Sequence, residues 1–358
     1  MSDTPTAPIP VTLLAGFLGA GKTTLLNRLL RSDSASRFAV LVNDFGDLNV
    51  DANLVADQEA DVLRLEGGCI CCTMQSGLTS AAMYLVGRDT PPEHILIEAS
   101  GISDPMPIAA GLMAPGLQRH LRLDSVLTVI DAERAPYPDG HDVQELVASQ
   151  IKSANIVLLN KVDLVEDDKI ADLRAWIKEW TPGARILETE HADVPIPVLL
   201  DGAVPLPSVH EAHANEDHGD SHEQDADHAH DGGGPHAHEH HDHNSHAHHH
   251  DHEASFRRWT YRSEVPFTNL DDVQRMLRGL PDTVLRVKGF VATEETRQER
   301  MLLQMAGRRA ALTFRGAWPD TPRTALVVLS LSDGPTPEAL QTHFDTALAG
   351  AASFTAQR

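Results

Sequence analysis

The chain has 358 residues, 41% of them hydrophobic, which at about 150 residues per domain is enough for two domains with real cores. Its formal charge at pH 7 is −23, which excludes the broad basic surface that a nucleic-acid partner requires. That charge is uneven: His210–Glu253 holds 12 of the 52 acidic residues, 16 of the 21 histidines and no Lys or Arg, leaving −11 for everything else.

The opening MSDTPTAPIP has neither the cationic start nor the apolar run of a signal peptide. No stretch reaches the ~18 apolar residues of a membrane span, so no membrane partner is expected. VTLLA, residues 11–15, reads as a buried strand and KTTLLNRLL, residues 22–30, as an amphipathic helix. Between them GFLGAGKTT matches G-x-x-x-x-G-K-[ST] from Gly16 to Thr23, in the strand–loop–helix setting that this motif requires. Gly16, Gly19, Ala20, Gly21, Lys22, Thr23 and Thr24 are the expected phosphate-binding stretch. Glycine lets the backbone turn its N–H groups inward, Lys22 is expected at the β- and γ-phosphates, and the Thr23 hydroxyl is expected on Mg²⁺.

FAVLV (38–42), HILIEA (94–99), SVLTVID (125–131) and NIVLLN (155–160) continue as short strands, with DVQELVASQIKSA (142–154) and KIADLRAWIKEW (169–180) as helices. This alternation predicts an α/β fold, a P-loop NTPase with a mostly parallel sheet flanked by helices. Glu98 and Asp131 fall at strand ends, and one of them is expected to hold Mg²⁺ through water. The Ser100-Gly101 pair after Glu98 resembles a turn whose glycine N–H senses a γ-phosphate. Asp131 equally suits capping the following helix.

NKVD, Asn160–Asp163, follows the late strand at the sheet edge where such folds bind ligands. The Asp163 carboxylate can accept two hydrogen bonds from the ring N–H and exocyclic amine of guanine, a donor pair that adenine lacks. GTP is therefore the expected nucleotide, contacted by Asn160, Lys161, Asp163 and Gly101.

All three cysteines, Cys69, Cys71 and Cys72, lie in LEGGCICCTMQSG, so no distributed disulfide framework exists and a reducing, cytoplasmic setting is expected. Thiolates are soft ligands for Zn²⁺ or Cu(I), and three of them leave a fourth place for water, Glu66, a histidine or a receiving protein. The alternatives are a redox pair using Cys69, and buried inert thiols. The histidine tract offers weak, exchangeable sites for Zn²⁺, Co²⁺ or Ni²⁺ that empty as pH falls through about 6 to 6.5; its alternative reading is a solvated spacer.

The proline-punctuated PIPVLLDGAVPLPS, residues 195–208, argues against any regular element. After the tract come FRRWTYRSE, LDDVQRMLRGL, TVLRVKGFVA, RMLLQMA, RAALTFRG, TALVVLSLS and PEALQTHFDTAL. These read as strand, helix, four strands and helix, a small α+β C-terminal domain. The expected division is a GTPase domain at 1–208, a metal-binding linker at 209–254 and the α+β domain at 255–358.

GFLGAGKTTLLN, NDFG, GGCICC, EASG, SQI, NKVD and RVKGFV, in that order, resemble the CobW-type metallochaperone GTPases, a family akin to UreG and HypB. The resemblance covers nearly the whole chain outside the histidine tract. It implies a GTPase that binds Zn²⁺ or a related ion at Cys69, Cys71 and Cys72 and delivers it to a client metalloprotein through the C-terminal domain. A second copy of the chain is a further candidate partner. The family's Asn-Glu-Phe-Gly stands here as Asn43-Asp44-Phe45-Gly46, so the catalytic set of Lys22, Thr23, Glu98 and Asp44 includes one shortened carboxylate. The segment from Asn43 to Cys72 joins the phosphate neighbourhood to the thiolates, so hydrolysis is expected to relax the metal site. Unassisted turnover is expected on the order of 10⁻⁴ to 10⁻² s⁻¹, and no arginine finger is identifiable. Competing readings are a metal-independent nucleotide kinase or ATPase, a metal store or sensor, and a GTPase of cobalt or cobalamin metabolism.

Overall fold

A computed structural model describes residues 8–31, 38–43, 61–65, 73–114, 116–137, 140–200 and 256–349. Strand β1 (Ile9–Ala15) is buried from Val11 onward and runs through the glycine loop into helix α1 (Lys22–Leu30). Leu25, Leu26, Leu29 and Leu30 recur at helical spacing and form the buried side of α1. Then follow β2 (Phe38–Asn43), β3 (Asp61–Leu65), α2 (Thr73–Val86), β4 (His94–Glu98), α3 (Met106–Leu112), β5 (Leu121–Asp131) and α4 (His141–Ser153). The first half closes with β6 (Ile156–Asn160), α5 (Asp167–Trp180), β7 (Arg185–Thr189) and the one-turn α6 (Ile196–Leu199).

These strands form one seven-stranded sheet in the order β3-β2-β4-β1-β5-β6-β7, and every pairing is parallel. Both faces are covered, so β4 and β6 are buried at every residue, with continuous apolar runs at Ile95–Ile97 and Ile156–Leu159. Leu14, Val40, Val42 and Leu96 face α1, while Leu13, Leu41, Ile95 and Ile97 face α2 and α3. Strands β3 and β7 carry no clear signal in the sequence because they are the sheet's two edges, where DVLRL and RILET keep charged residues. Helix α3 is equally silent, being seven residues with a proline in its first turn.

The expectation that no regular element forms after Val194 is corrected. Ile196–Leu199 makes a helical turn with Val198 and Leu199 buried, and its prolines occupy the first turn, where a missing N–H is tolerated.

The second half comprises β8 (Phe256–Ser263), α7 (Leu270–Arg278), β9 (Val284–Val291), β10 (Glu299–Ala306), β11 (Arg309–Ala317), β12 (Thr324–Leu331) and α8 (Pro337–Leu348). This is the expected strand, helix, four strands and helix. The strands form an antiparallel sheet in the order β11-β10-β9-β12-β8, with α7 and α8 packed on one face through Val273, Met276, Leu340 and Phe344. The other face brings Leu285, Phe256, Leu329 and Leu331 into the α1-side core of the first sheet.

One buried arginine pins the two halves together. Arg286 donates Nε to the Val198 carbonyl (2.8 Å) and Nη2 to both the Leu199 carbonyl (2.8 Å) and Asp124 Oδ2 (2.8 Å). Asp124 also accepts from Arg122 (3.1 Å). Burial pushes the Asp124 carboxyl up, but the guanidiniums of Arg286 and Arg122 outweigh it and hold the group well below the usual carboxylate range.

Candidate functional site

The crevice of an open parallel sheet lies at the carboxyl ends of its strands, where the connections diverge to opposite sides. Here β1 is flanked by β4 and β5, and the register aligns Leu14 with Glu98, Asp131 with Asn160 and Asn160 with Thr189. Four sequence-predicted strand ends, at Gly16, Glu98, Asp131 and Asn160, are therefore brought to one edge.

Gly16 opens the loop at φ 136°, and a Cβ there would stand 2.3 Å from the Val129 carbonyl oxygen, so only glycine lets the loop leave the sheet this tightly. Lys22 is buried, and its ammonium donates to the carbonyls of Gly16 (2.9 Å) and Phe17 (3.3 Å), which holds it inside the curl of the loop. Helix α1 has no acidic residue in its first turn, so its amino-terminal field is left for a bound anion. Thr23 Oγ1 donates to Glu98 Oε1 at 3.4 Å, while Thr24 is exposed one residue further on. Gly101 lies against the loop at Leu18, so the Ser100-Gly101 turn abuts the phosphate-binding backbone.

The strand-end residues divide their work. Asn160 spans the site: Nδ2 donates to the Ala20 carbonyl (2.9 Å), and Oδ1 accepts from Thr189 Oγ1 (3.0 Å) and the Ala192 N–H (2.8 Å). It thereby braces the phosphate loop. Lys161 follows at φ 65° and pairs with Asp131 Oδ2 at 2.6 Å. Asp131 Oδ1 accepts the N–H groups of Glu133 (3.0 Å) and Arg134 (3.3 Å), which caps the turn after β5. Glu98 is thus the strand-end carboxylate beside Thr23. Thr23 and Glu98 present hard oxygen donors of the kind that suits Mg²⁺. Asp163 stands exposed in the turn Val162–Leu164, and its carboxylate has no protein partner among the described residues.

Several residues that position this site give no motif-level signal. Gln150 of α4 is fully buried and donates Nε2 to the carbonyls of Gly101 (3.3 Å) and Ser103 (3.1 Å), tying the turn after β4 to α4. Its place in SQI is the only trace in the sequence. Arg134 lies over the rings of Phe17 and Tyr137, both at 5.7 Å, and donates to the Leu18 carbonyl at 3.3 Å, clamping the loop from outside. Thr189 and Ala192 act through Asn160, which only the strand register reveals.

Asp44, Cys69, Cys71, Cys72, Glu66 and the His210–Glu253 tract lie outside the described residues. Among the described residues no group of three or more His, Cys, Asp or Glu is placed to hold a metal ion, and no helix is long and apolar enough to cross a membrane.

A glycine loop curled between the central strand and α1, at the carboxyl edge of a parallel sheet, defines a P-loop nucleotide-binding protein. The chain belongs to the CobW/HypB/UreG family, whose nucleotide-binding domain matches residues 10–188, and residues 256–348 match the cobW C-terminal domain of cobalamin synthesis proteins.

It is 35% identical over 224 residues to the zinc chaperone CobW of Pseudomonas aeruginosa, a match spanning 54% of this chain and 60% of that protein. It is 29% identical over 356 residues to the zinc chaperone CobW of a Sinorhizobium species, spanning 91% of this chain and 93% of the relative. The Zn(II)-bound YjiA GTPase of E. coli aligns over 96% of this chain and 99% of its own at 22% identity, with a TM-score of 0.42.

Proposed function

We propose that this chain is a GTPase that binds Zn²⁺ at Cys69, Cys71 and Cys72 and hands it to a client metalloprotein. The nucleotide half of the reading is carried by one observation: Asp163 projects from the end of β6 with its carboxylate uncommitted among the described residues, while Asn160 braces the phosphate loop and Lys161 and Asp131 pair with each other. A free carboxylate at that place is what the guanine donor pair would meet. Thr23 and Glu98 would hold Mg²⁺, which when bound neutralises phosphate charge. Lys22 would follow the phosphates out of its contacts with Gly16 and Phe17. The Gly101 N–H would meet the terminal phosphate, and Gln150 would pass a movement of that turn to α4.

The metal half is supported by the zinc chaperone names of the relatives and by strand register. Val42 pairs with Glu98 and Asn43 with Leu65, so β3 ends at the nucleotide edge of the sheet, and the cysteine triplet begins four residues later in the sequence. Zn²⁺ is cargo in this reading, and the open three-thiolate set suits transfer.

Asp163→Asn is expected to lower the preference for GTP over ATP by about 100-fold, measured by competition binding with both nucleotides. A preserved preference overturns the guanine assignment. Changing Cys69, Cys71 and Cys72 together to Ser is expected to weaken the tightest Zn²⁺ site by about 100-fold or more in a chelator competition assay. Undiminished tight binding overturns the metal assignment. Zn²⁺ affinity is expected to differ between the GDP form and a non-hydrolysable GTP-analogue form; equal values would leave no coupling for hydrolysis to use.

A further inference from the structure

At the amino ends of β6 and β7, the sheet edge opposite the nucleotide loop, a cleft of about 1000 Å³ opens between the two halves of the chain. Its walls come from the end of α4, the turn before β7, helix α7 and the β10–β11 hairpin. They carry four cations, Lys152, Arg185, Arg278 and Arg308, against one carboxylate, Asp282. A surplus of three positive charges is unexpected in a chain whose formal charge is −23.

The arrangement is built rather than incidental. Gly307, at φ 56°, presses the hairpin so close to Asn155 that a Cβ would stand 2.1 Å from the Asn155 carbonyl oxygen. The next residue, Arg308, lays its guanidinium on Gly183, where a Cβ would come within 2.1 to 2.3 Å of it. Arg308 has no acidic partner among the described residues. Arg185 is only 5% exposed; it pairs with Asp282 through Nη1, yet its Nε has no acceptor among the described residues. Burial and the nearby Arg308 both work against the Arg185 charge, and Asp282 alone supports it.

Two neighbouring guanidiniums, of which only Arg185 has a carboxylate partner among the described residues, are under-compensated, and a further anion relieves that imbalance. Guanidinium forks match phosphate oxygens in pairs, and clefts between domains are favoured ligand sites.

We propose that this cleft binds a small phosphate-bearing anion of two or more negative charges, bridging Arg185 of the nucleotide domain and Arg308 of the C-terminal domain. The site is separate from the P-loop and independent of the proposed GTPase reading. Such a ligand joins the two domains and stabilises their docking by mass action.

The test uses the full metal-free chain saturated with GDP, so that the P-loop is occupied, titrated calorimetrically with inorganic pyrophosphate at low salt. One pyrophosphate site is expected, together with a rise in melting temperature. The affinity is expected to fall about tenfold in Arg308→Ala and further in Arg308→Glu. Arg278→Ala supplies a second, exposed variant whose folding does not depend on the hairpin, with a smaller expected loss. Lack of binding to the GDP-loaded wild type, or equal affinity in Arg308→Glu, overturns the proposal.

Discussion

Replacing Arg286 with Ala is expected to lower the unfolding free energy by about 3–5 kcal/mol, because it takes a charged donor from a buried carboxylate and two buried carbonyls at once. Arg286 is 3% exposed and serves Asp124, Val198 and Leu199 from one planar group. Removing it leaves Asp124 with Arg122, at 3.1 Å, as its one side-chain hydrogen-bond donor among the described residues, and leaves the carbonyls of the α6 turn without this donor. Lys in its place keeps the charge but cannot reach three acceptors in that geometry, so Arg286→Lys recovers only part of the loss.

Urea unfolding of the full chain measures the effect, and limited proteolysis is expected to show earlier release of residues 256–349. A loss below about 1 kcal/mol, the worth of a surface pair, would contradict the pin. The same contact sets a pH dependence. The Asp124 carboxyl is depressed in the folded chain, so its stabilisation is complete above the ordinary carboxylate range, near pH 4. It is lost as pH falls further toward the depressed folded value, and the wild type is expected to lose this increment in acid whereas Asp124→Asn is not.

Gly16→Ala is expected to abolish useful nucleotide binding, with affinity reduced about 100-fold or more and a lowered melting temperature. The added Cβ meets backbone on β5, 2.3 Å from the Val129 oxygen and 3.1 Å from its nitrogen, and a central strand cannot swing aside as a side chain does. The φ of 136° adds strain of about 1–3 kcal/mol for any residue with a Cβ. Gly19→Ala is the control: its φ is 75°, but the nearest atom is Arg134 Nη1 at 3.9 Å. Titration with a fluorescent GDP analogue is expected to rank Gly16→Ala far below Gly19→Ala, and the reverse order would mean that backbone collision does not govern this loop.

How far these features can be read without coordinates differs by residue. The GFLGAGKTT loop is legible because every requirement it meets is local: a strand, glycines for the turn and a helix start. The NKVD residues are legible as a group but not in their division of labour. Asn160 is expected at the nucleotide from the sequence, and the structure adds what the sequence does not show, that its amide joins Ala20, Thr189 and Ala192, partners far from it along the chain. The two candidate Mg²⁺ carboxylates are equal in the sequence, and the structure gives them different partners: Lys161 pairs with Asp131, while Glu98 accepts from Thr23. Arg286 is visible inside RVKGFV as part of a resemblance, while its role depends on α6, a turn that its prolines conceal.

The sequence by itself determined the class of fold, the phosphate loop and the order of elements in the C-terminal half. Each rests on periodicity or on residues adjacent in the chain. Tertiary structure alone decided which side chains brace the loop, that one arginine joins the halves, and that four cations meet in a cleft opposite the nucleotide edge. Those outcomes depend on strand order and on the docking of the two sheets, in which residues as distant as Asp124 and Arg286 become neighbours, and no local pattern encodes that meeting.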